Sequence, residues 1–129
     1  ADAVPMIERL QALGQKCGKQ FGVKLTNTFP FNLEKELPGE QMYMAGKALL
    51  PLTITLAAEL SRALDGKLAI SYSGGATQGI GDFFETGIWP ITVCTTLLQG
   101  AGYDQLDDLA KRVESKDYDS NYCVKCTGH

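Results

Sequence analysis

Apolar residues recur at helical spacing in three stretches of the chain, and each stretch is bounded by helix start or stop signals. The three predicted helices lie near the amino terminus, over 51–64 and over 103–113, and a shorter helix is predicted over 80–86. The stripes expected to face the core are Met6, Leu10, Leu13 and Cys17; Leu52, Leu56, Leu60 and Ala63; and Leu106, Leu109 and Val113. Each predicted helix is therefore amphipathic, with one side for a core.

Three short runs rich in strand-forming residues alternate with these helices, at 21–26, 67–72 and 89–95. Strands that alternate with helices imply a parallel sheet with right-handed crossovers, so the predicted fold class is α/β. We expect the strands to lie side by side in chain order, with the helices on one side. Between the first two, residues 27–46 hold two prolines, two glycines and no clean period, which predicts a long loop of the kind that is usually functional.

Composition narrows the classes of function. The 129 residues are 44% hydrophobic and 21% charged with a formal net charge of −3, which is ordinary for a globular protein and gives no basic footprint for nucleic acid. No apolar run approaches the ~20 residues of a membrane span. Four cysteines without a secreted disulfide framework favour the cytoplasm. Because the first residue is Ala1, we expect a piece of a longer protein.

Ligands of parallel α/β folds bind at the carboxyl ends of the strands. That rule selects three patches, each just after a predicted strand: Thr26-Asn27-Thr28, Ser73-Gly74-Gly75 and Cys94-Thr95-Thr96. The glycine pair allows the backbone to approach an anion, and the threonine turn could hold the other side of a phosphate. A plain strand-to-helix turn and ordinary strand threonines explain the same residues.

Other polar residues have two interpretations each. Asn27 offers donor and acceptor groups to a heterocycle, or caps its own loop. Cys123 and Cys126, with His129 nearby, resemble half of a metal site, or are free thiols in a tail. Cys17 and Cys94 are expected to be buried packing residues. The sequence holds no other histidine and no catalytic triad, so an acid or base would lie outside it.

Four segments, FGVKLTNT, LPGEQMYMAGKALLPLTI, LSRALDGKLAISYSGGA and GIWPITVCTTLL, together resemble a known family. They are similar to the flavin barrels of the dihydroorotate and dihydropyrimidine dehydrogenase type, and most of all to the selenate reductase group. The resemblance implies a (β/α)₈ barrel that binds FMN at its C-terminal face. It also implies that residues 1–113 are the last third of that barrel, strands six to eight.

The resemblance carries roles for individual residues. It places the FMN phosphate against Gly74, Gly75, Ala76, Cys94, Thr95 and Thr96, and substrate near Asn27, Thr28 and Gly46. Residues 114–129 would be a polar tail or linker towards an iron–sulfur region that begins near Cys123 and Cys126. The expected partners are a small-molecule substrate, the remainder of the barrel and a downstream electron-transfer domain.

A second hypothesis is a non-catalytic α/β module used for packing or subunit association. A three-stranded parallel sheet leaves two open edges and an uncovered face, which predicts self-association of the isolated chain. The residues expected to be exposed by the missing strands are Val23, Leu25, Ile70, Ile91 and Val93. A third and weaker hypothesis, a metal-binding electron-transfer tail, depends on Cys123 and Cys126 alone.

Overall fold

The computed structural model describes residues 3–32, 41–44, 46–98 and 102–116. The helices are α1 (Ala3–Lys16), α2 (Leu50–Ala63), α3 (Ile80–Glu85) and α4 (Gln105–Glu114). The strands are β1 (Gly22–Leu25), β2 (Phe29–Asn32), β3 (Gln41–Met44), β4 (Ala69–Ser73) and β5 (Ile91–Thr92). Short 3-10 helices span Gly46–Leu49, Ala76–Gln78, Thr95–Leu98 and Gly102–Asp104.

The main sheet has the predicted parallel architecture. Its strand order is β1-β4-β5, and both pairs are parallel, with Leu25 opposite Tyr72 and Tyr72 opposite Ile91. Strand β5 is shorter than predicted and begins after Pro90, which has no N–H for a ladder. The α/β class, the parallel pairing and the spatial order of the three strands are confirmed.

The two faces of this sheet have opposite chemistry. Leu25, Ile70 and Tyr72 are buried in the core together with residues of the helices. Side chains alternate along a strand, so Lys24, Ser71 and Ser73 lie on the opposite, polar face. The expectation that an incomplete barrel would expose Leu25 and Ile70 is therefore wrong, because these residues belong to the face that the helices cover.

Helix α1 does not bury its most hydrophobic stripe. Met6 and Leu13 are 57% and 56% exposed, and Cys17 is exposed, whereas Ile7 is buried. Gly14 explains the orientation, since a side chain there would lie 2.9 Å from the Lys19 carbonyl oxygen and 3.4 Å from Phe21 Cβ. A close approach that only a small residue allows decides which face turns inward, and hydropathy alone does not detect it.

Helix α2 is also rotated from its predicted orientation. Its buried residues are Thr53, Ala57, Leu60 and Ser61, while Leu52 is 52% exposed. Of the predicted stripe, Leu60 is buried, Leu56 is half-buried and Ala63 is exposed. The buried threonine hydroxyl is hydrogen-bonded within the protein, which removes most of the cost of burying it. Small and hydroxyl residues therefore pack where larger apolar residues were expected.

Residues 27–46 are not wholly irregular. Strands β2 and β3 form an antiparallel pair in which Phe29 lies opposite Met44 and Asn32 opposite Gln41. Aromatic and long apolar residues such as Phe29 and Tyr43 favour strands, and Pro30 is tolerated because each strand of a two-stranded ladder has a free edge. The prediction of a loop without regular structure is wrong here.

Helix α4 buries Leu109 and half-buries Val113 as predicted, but Leu106 is 42% exposed. No helix in the described ranges is long and apolar enough to cross a membrane. Cys123, Cys126 and His129 lie outside the described residues.

Candidate functional site

A cavity of about 640 Å³ lies at the carboxyl ends of β1, β4 and β5. All three patches selected from the sequence reach it. The predicted site residues on its wall are Asn27, Thr28, Gly46, Gly74, Gly75, Ala76, Cys94 and Thr95. Thr96 follows Thr95 in the 3-10 helix Thr95–Leu98. The parallel order of the strands brings these positions together from distant parts of the chain, and their role in binding stays a prediction.

The cavity also includes residues that the sequence did not single out for a role. Lys47, Leu49, Thr77 and Thr92 line it beside the predicted positions. The sequence signal that could have identified Lys47 as a lining residue is its position directly after Gly46, a predicted site residue.

The turn after β4 has a backbone that favours glycine. Gly74 has a φ of 121° and Gly75 a φ of 69°, both in the left-handed region. A Cβ atom on Gly75 would lie 2.8 Å from the backbone nitrogen of Lys47 and 2.7 Å from Lys47 Cγ. Gly75 therefore serves two purposes: it permits the turn, and it lets the 3-10 helix Gly46–Leu49 pack directly against it.

The side chain of Tyr72 stabilises the same turn. Its hydroxyl donates a hydrogen bond of 2.6 Å to the Gly74 carbonyl, and its ring stacks on Phe83 at 4.5 Å between centroids. The residue is 1% exposed, and burial raises the pKa of the phenol, so the hydroxyl stays protonated and remains a donor. Tyr72 thereby fixes the direction of the Gly74 carbonyl.

A part-buried pair of hydroxyls connects the end of β1 with α2. Thr53 Oγ1 donates to the Leu49 carbonyl at 2.9 Å and lies 2.6 Å from Thr26 Oγ1. Thr53 has one hydroxyl hydrogen and uses it for Leu49, so Thr26 must donate to Thr53. Thr26 belongs to the cavity lining, and its hydroxyl oxygen keeps lone pairs that the bond to Thr53 does not use.

The next residue presents the opposite polarity. Asn27 Oδ1 accepts the backbone N–H of Thr28 at 2.9 Å, which is the self-capping turn considered from the sequence. Its amide nitrogen is a donor that this bond does not use. One edge of the cavity thus offers an acceptor at Thr26 and a donor at Asn27.

The turns after β4 and β5 contribute backbone N–H donors to the cavity lining. Within the described ranges, no oxygen atom accepts the backbone N–H groups of Gly74, Gly75 or Cys94. Successive backbone N–H groups in a turn of this kind form a concavity suited to an anion. The wall built by β4 and β5 can therefore receive a negatively charged group.

The described cavity lining is poor in titratable side chains and holds two, Lys47 and Cys94. Its described lining holds no carboxylate and no histidine, and the described residues contain no cluster of three metal-ligating side chains. Cys94 is exposed at the cavity and Cys17 is exposed on the surface, so the expectation that both are buried packing residues is wrong. The arrangement is suited to binding and orientation.

Comparison with known proteins agrees with this geometry. Residues 1–127 match the family described as "Oxidoreductase YgfK, N-terminal TIM-barrel domain". The chain is 55% identical over 117 residues to each of two proteins named "Putative oxidoreductase YgfK", from Escherichia coli K12 and from Escherichia coli O157:H7. The match covers 89% of this chain and 11% of each relative. No solved structure matches.

These matches confirm the expected oxidoreductase barrel at the level of the family. The chain spans only 11% of the length of the two relatives, so the activity of a whole protein of this type is a matter for proposal. The α/β sheet, the cavity at its strand ends and the match over 1–127 lead to one conclusion. The chain belongs to the YgfK family of oxidoreductases, within its N-terminal TIM-barrel domain.

Proposed function

We propose that the protein is an FMN-dependent oxidoreductase and that this chain supplies strands six to eight of its barrel. The observation that carries the proposal is the meeting of three consecutive parallel strand ends around one cavity. In TIM barrels, the loops after strands seven and eight form the usual phosphate site. Here those loops would be the ones that follow β4 and β5.

The residues present fit a phosphorylated flavin. The cavity of about 640 Å³ is within the ~300–1,000 Å³ typical of small-molecule sites. Among the described residues, the backbone N–H groups of Gly74, Gly75 and Cys94 have no acceptor, and all three residues line the cavity. These groups suit a phosphate, which accepts several hydrogen bonds and carries negative charge.

Different residues of this chain would bind the cofactor and the substrate. Gly74, Gly75, Ala76, Cys94, Thr95 and Thr96 would hold the FMN phosphate, and Asn27, Thr28 and Gly46 would contact the substrate. The acceptor at Thr26 and the donor at Asn27 favour a ligand whose edge carries an N–H group beside a carbonyl. When bound, FMN supplies the ability to take up and release a hydride.

Other parts of the protein would complete the reaction. The cavity lining offers no carboxylate or histidine among the described residues, so we propose that the acid comes from earlier strands of the barrel. The resemblance to the selenate reductase group supports an iron–sulfur region downstream, reached through residues 114–129 with Cys123 and Cys126. That region would exchange electrons with the flavin.

The test is a substitution in the protein expressed from its complete coding sequence. Gly75→Val should abolish FMN retention, because its side chain would clash with the Lys47 backbone and deform the turn. Thr96→Val should weaken retention modestly, since the backbone amides remain. Bound FMN is measured by releasing the flavin after desalting and quantifying it per mole of protein.

Gly18→Val is the matched control. Gly18 has a φ of 65°, close to that of Gly75, but a Cβ there meets nothing within 4 Å. Backbone strain is therefore similar while the cavity is untouched, and FMN retention should be unchanged. If Gly75→Val retained stoichiometric FMN, the phosphate could not bind at this turn. If the wild-type protein retained no FMN, the result would favour the hypothesis of a non-catalytic module.

A further inference from the structure

Lys47 occupies a distinctive place in the cavity. It lies on the 3-10 helix Gly46–Leu49 and contributes to the cavity wall. The stem of its side chain runs beside the glycine turn, because Lys47 Cγ is 2.7 Å from where a Cβ on Gly75 would stand. The lysine side chain therefore starts next to a turn whose backbone N–H groups at Gly74 and Gly75 have no acceptor among the described residues.

The described cavity lining has no negatively charged side chain that could pair with Lys47. Among the described lining residues, it is the only charged side chain. Within the same part of the chain, no carboxylate lies within 4.0 Å of its ammonium group, whereas Lys67, Lys111 and Lys116 each have such a partner. The cavity thus carries one positive charge that an anionic ligand would neutralise.

We infer that Lys47 is the residue that selects the phosphorylated flavin over the unphosphorylated one, an inference that rests on the proposed function. Backbone N–H groups hydrogen-bond a phosphate but carry no net charge, and a lysine supplies that charge as a compact point. Riboflavin has the same ring and ribityl chain as FMN but lacks the phosphate. Lys47 should therefore stabilise FMN binding and contribute little to riboflavin binding.

The experiment compares two ligands on protein expressed from its complete coding sequence and freed of bound flavin. Dissociation constants for FMN and for riboflavin are measured by quenching of flavin fluorescence in wild type, Lys47→Gln, Lys47→Arg and Lys19→Gln. Lys19→Gln is the matched control, since it removes an exposed lysine that is not part of the cavity lining.

Lys47→Gln should weaken FMN binding by about 10- to 100-fold, the usual range for loss of a hydrogen bond to a charged group, and leave riboflavin binding unchanged. Lys47→Arg should restore most of the preference for FMN, and Lys19→Gln should match wild type. Added salt should weaken FMN binding more in wild type than in Lys47→Gln.

Two results would overturn the inference while leaving the proposed function in place. One is an unchanged ratio of FMN to riboflavin affinity in Lys47→Gln. The other is an equal loss of both affinities, which would mean that Lys47 only shapes the cavity. Wild-type protein that binds neither flavin would overturn the proposed function, and this inference with it.

Discussion

At the scale of single residues, Thr53 connects the core to the cavity. It is 1% exposed, donates to the Leu49 carbonyl and accepts from Thr26, so its hydroxyl joins the start of α2 to the end of β1. Thr26 in turn belongs to the cavity lining. A buried side chain that never touches a ligand thereby sets which hydrogen-bonding group the cavity offers.

Thr53→Val should loosen the start of α2. Valine keeps the shape and branching of threonine but leaves the Thr26 hydroxyl without its acceptor, and loss of such a part-buried hydrogen bond costs about 0.5–1.5 kcal/mol. Hydrogen exchange of the α2 amides, followed by mass spectrometry on the complete protein, reports the free energy of this local opening. The expected result is faster exchange in α2 and little change in α4.

Thr55→Val is the matched control on the same helix. Thr55 also donates to a carbonyl four residues earlier, that of Pro51, but it is exposed. Water can replace that bond, so the change in opening free energy should stay below about 0.5 kcal/mol. Equal effects of the two substitutions would contradict a special role for the buried hydroxyl.

At the scale of elements, α3 and α4 depend on a close approach at Gly81. A Cβ there would lie 3.2 Å from the Arg112 carbonyl oxygen and 3.3 Å from two carbons of Lys116. Lys116 also binds Glu85 of α3 at 3.0 Å; this hydrogen bond, and then the charge of Glu85, raise the pKa of Lys116. The two helices are therefore joined by a small residue and a part-buried ion pair at the same place.

Gly81→Leu should separate α4 from α3. The added side chain cannot fit against the Arg112 carbonyl, and overpacking of this kind costs about 1–3 kcal/mol. Amide exchange across Gln105–Glu114 should accelerate by roughly one to two orders of magnitude, since ~1.4 kcal/mol corresponds to a factor of ten.

Gly79→Ala provides the comparison for that experiment. A Cβ at Gly79 meets the Phe83 ring at 3.6 Å, an ordinary contact, and its φ of −113° suits any residue. Exchange in α4 should stay close to wild type. Unchanged α4 exchange in Gly81→Leu would show that the approach of the two helices does not need glycine.

At the scale of the whole molecule, several large apolar residues of helices α1 and α2 are exposed. Met6, Leu10 and Leu13 line a groove of about 600 Å³ on α1, together with Arg9, Ala12 and Lys16. Leu52 and Ile54 of α2 are about half exposed as well. In a complete barrel the outer helices pack against neighbouring helices, and these faces are the ones such neighbours would cover.

The 129-residue chain prepared alone should therefore self-associate and bind FMN poorly. Each fully buried apolar side chain contributes about 1.5–3 kcal/mol, which makes exposed Met6 and Leu13 a strong driving force for association. Light scattering should give a mass above that of a monomer, increasing with concentration. A compact monomer at high concentration would contradict this prediction.

A charge placed in the groove identifies the surface responsible. Leu13→Lys should shift the association towards monomer, whereas Leu98→Lys, at an exposed leucine outside the groove, should not. Equal effects of both substitutions would mean that association is nonspecific.

The sequence by itself determined the alternation of elements, and from it the parallel sheet and the three patches that meet at the cavity. This succeeds because strand and helix periods are local, and because parallel strands always bring their carboxyl ends to one edge. Residues as distant as Asn27, Gly75 and Cys94 could therefore be placed together without coordinates.

Only the tertiary structure decided which face of each helix turns inward and how the cavity is built. Gly14 and Thr53 set the orientation of α1 and α2 through close approach and a buried hydrogen bond, neither of which is expressed in hydropathy. The position of Lys47 beside Gly75 likewise depends on two backbones that meet from separate parts of the chain. Such contacts arise from packing between elements, and for that reason a local pattern does not reveal them.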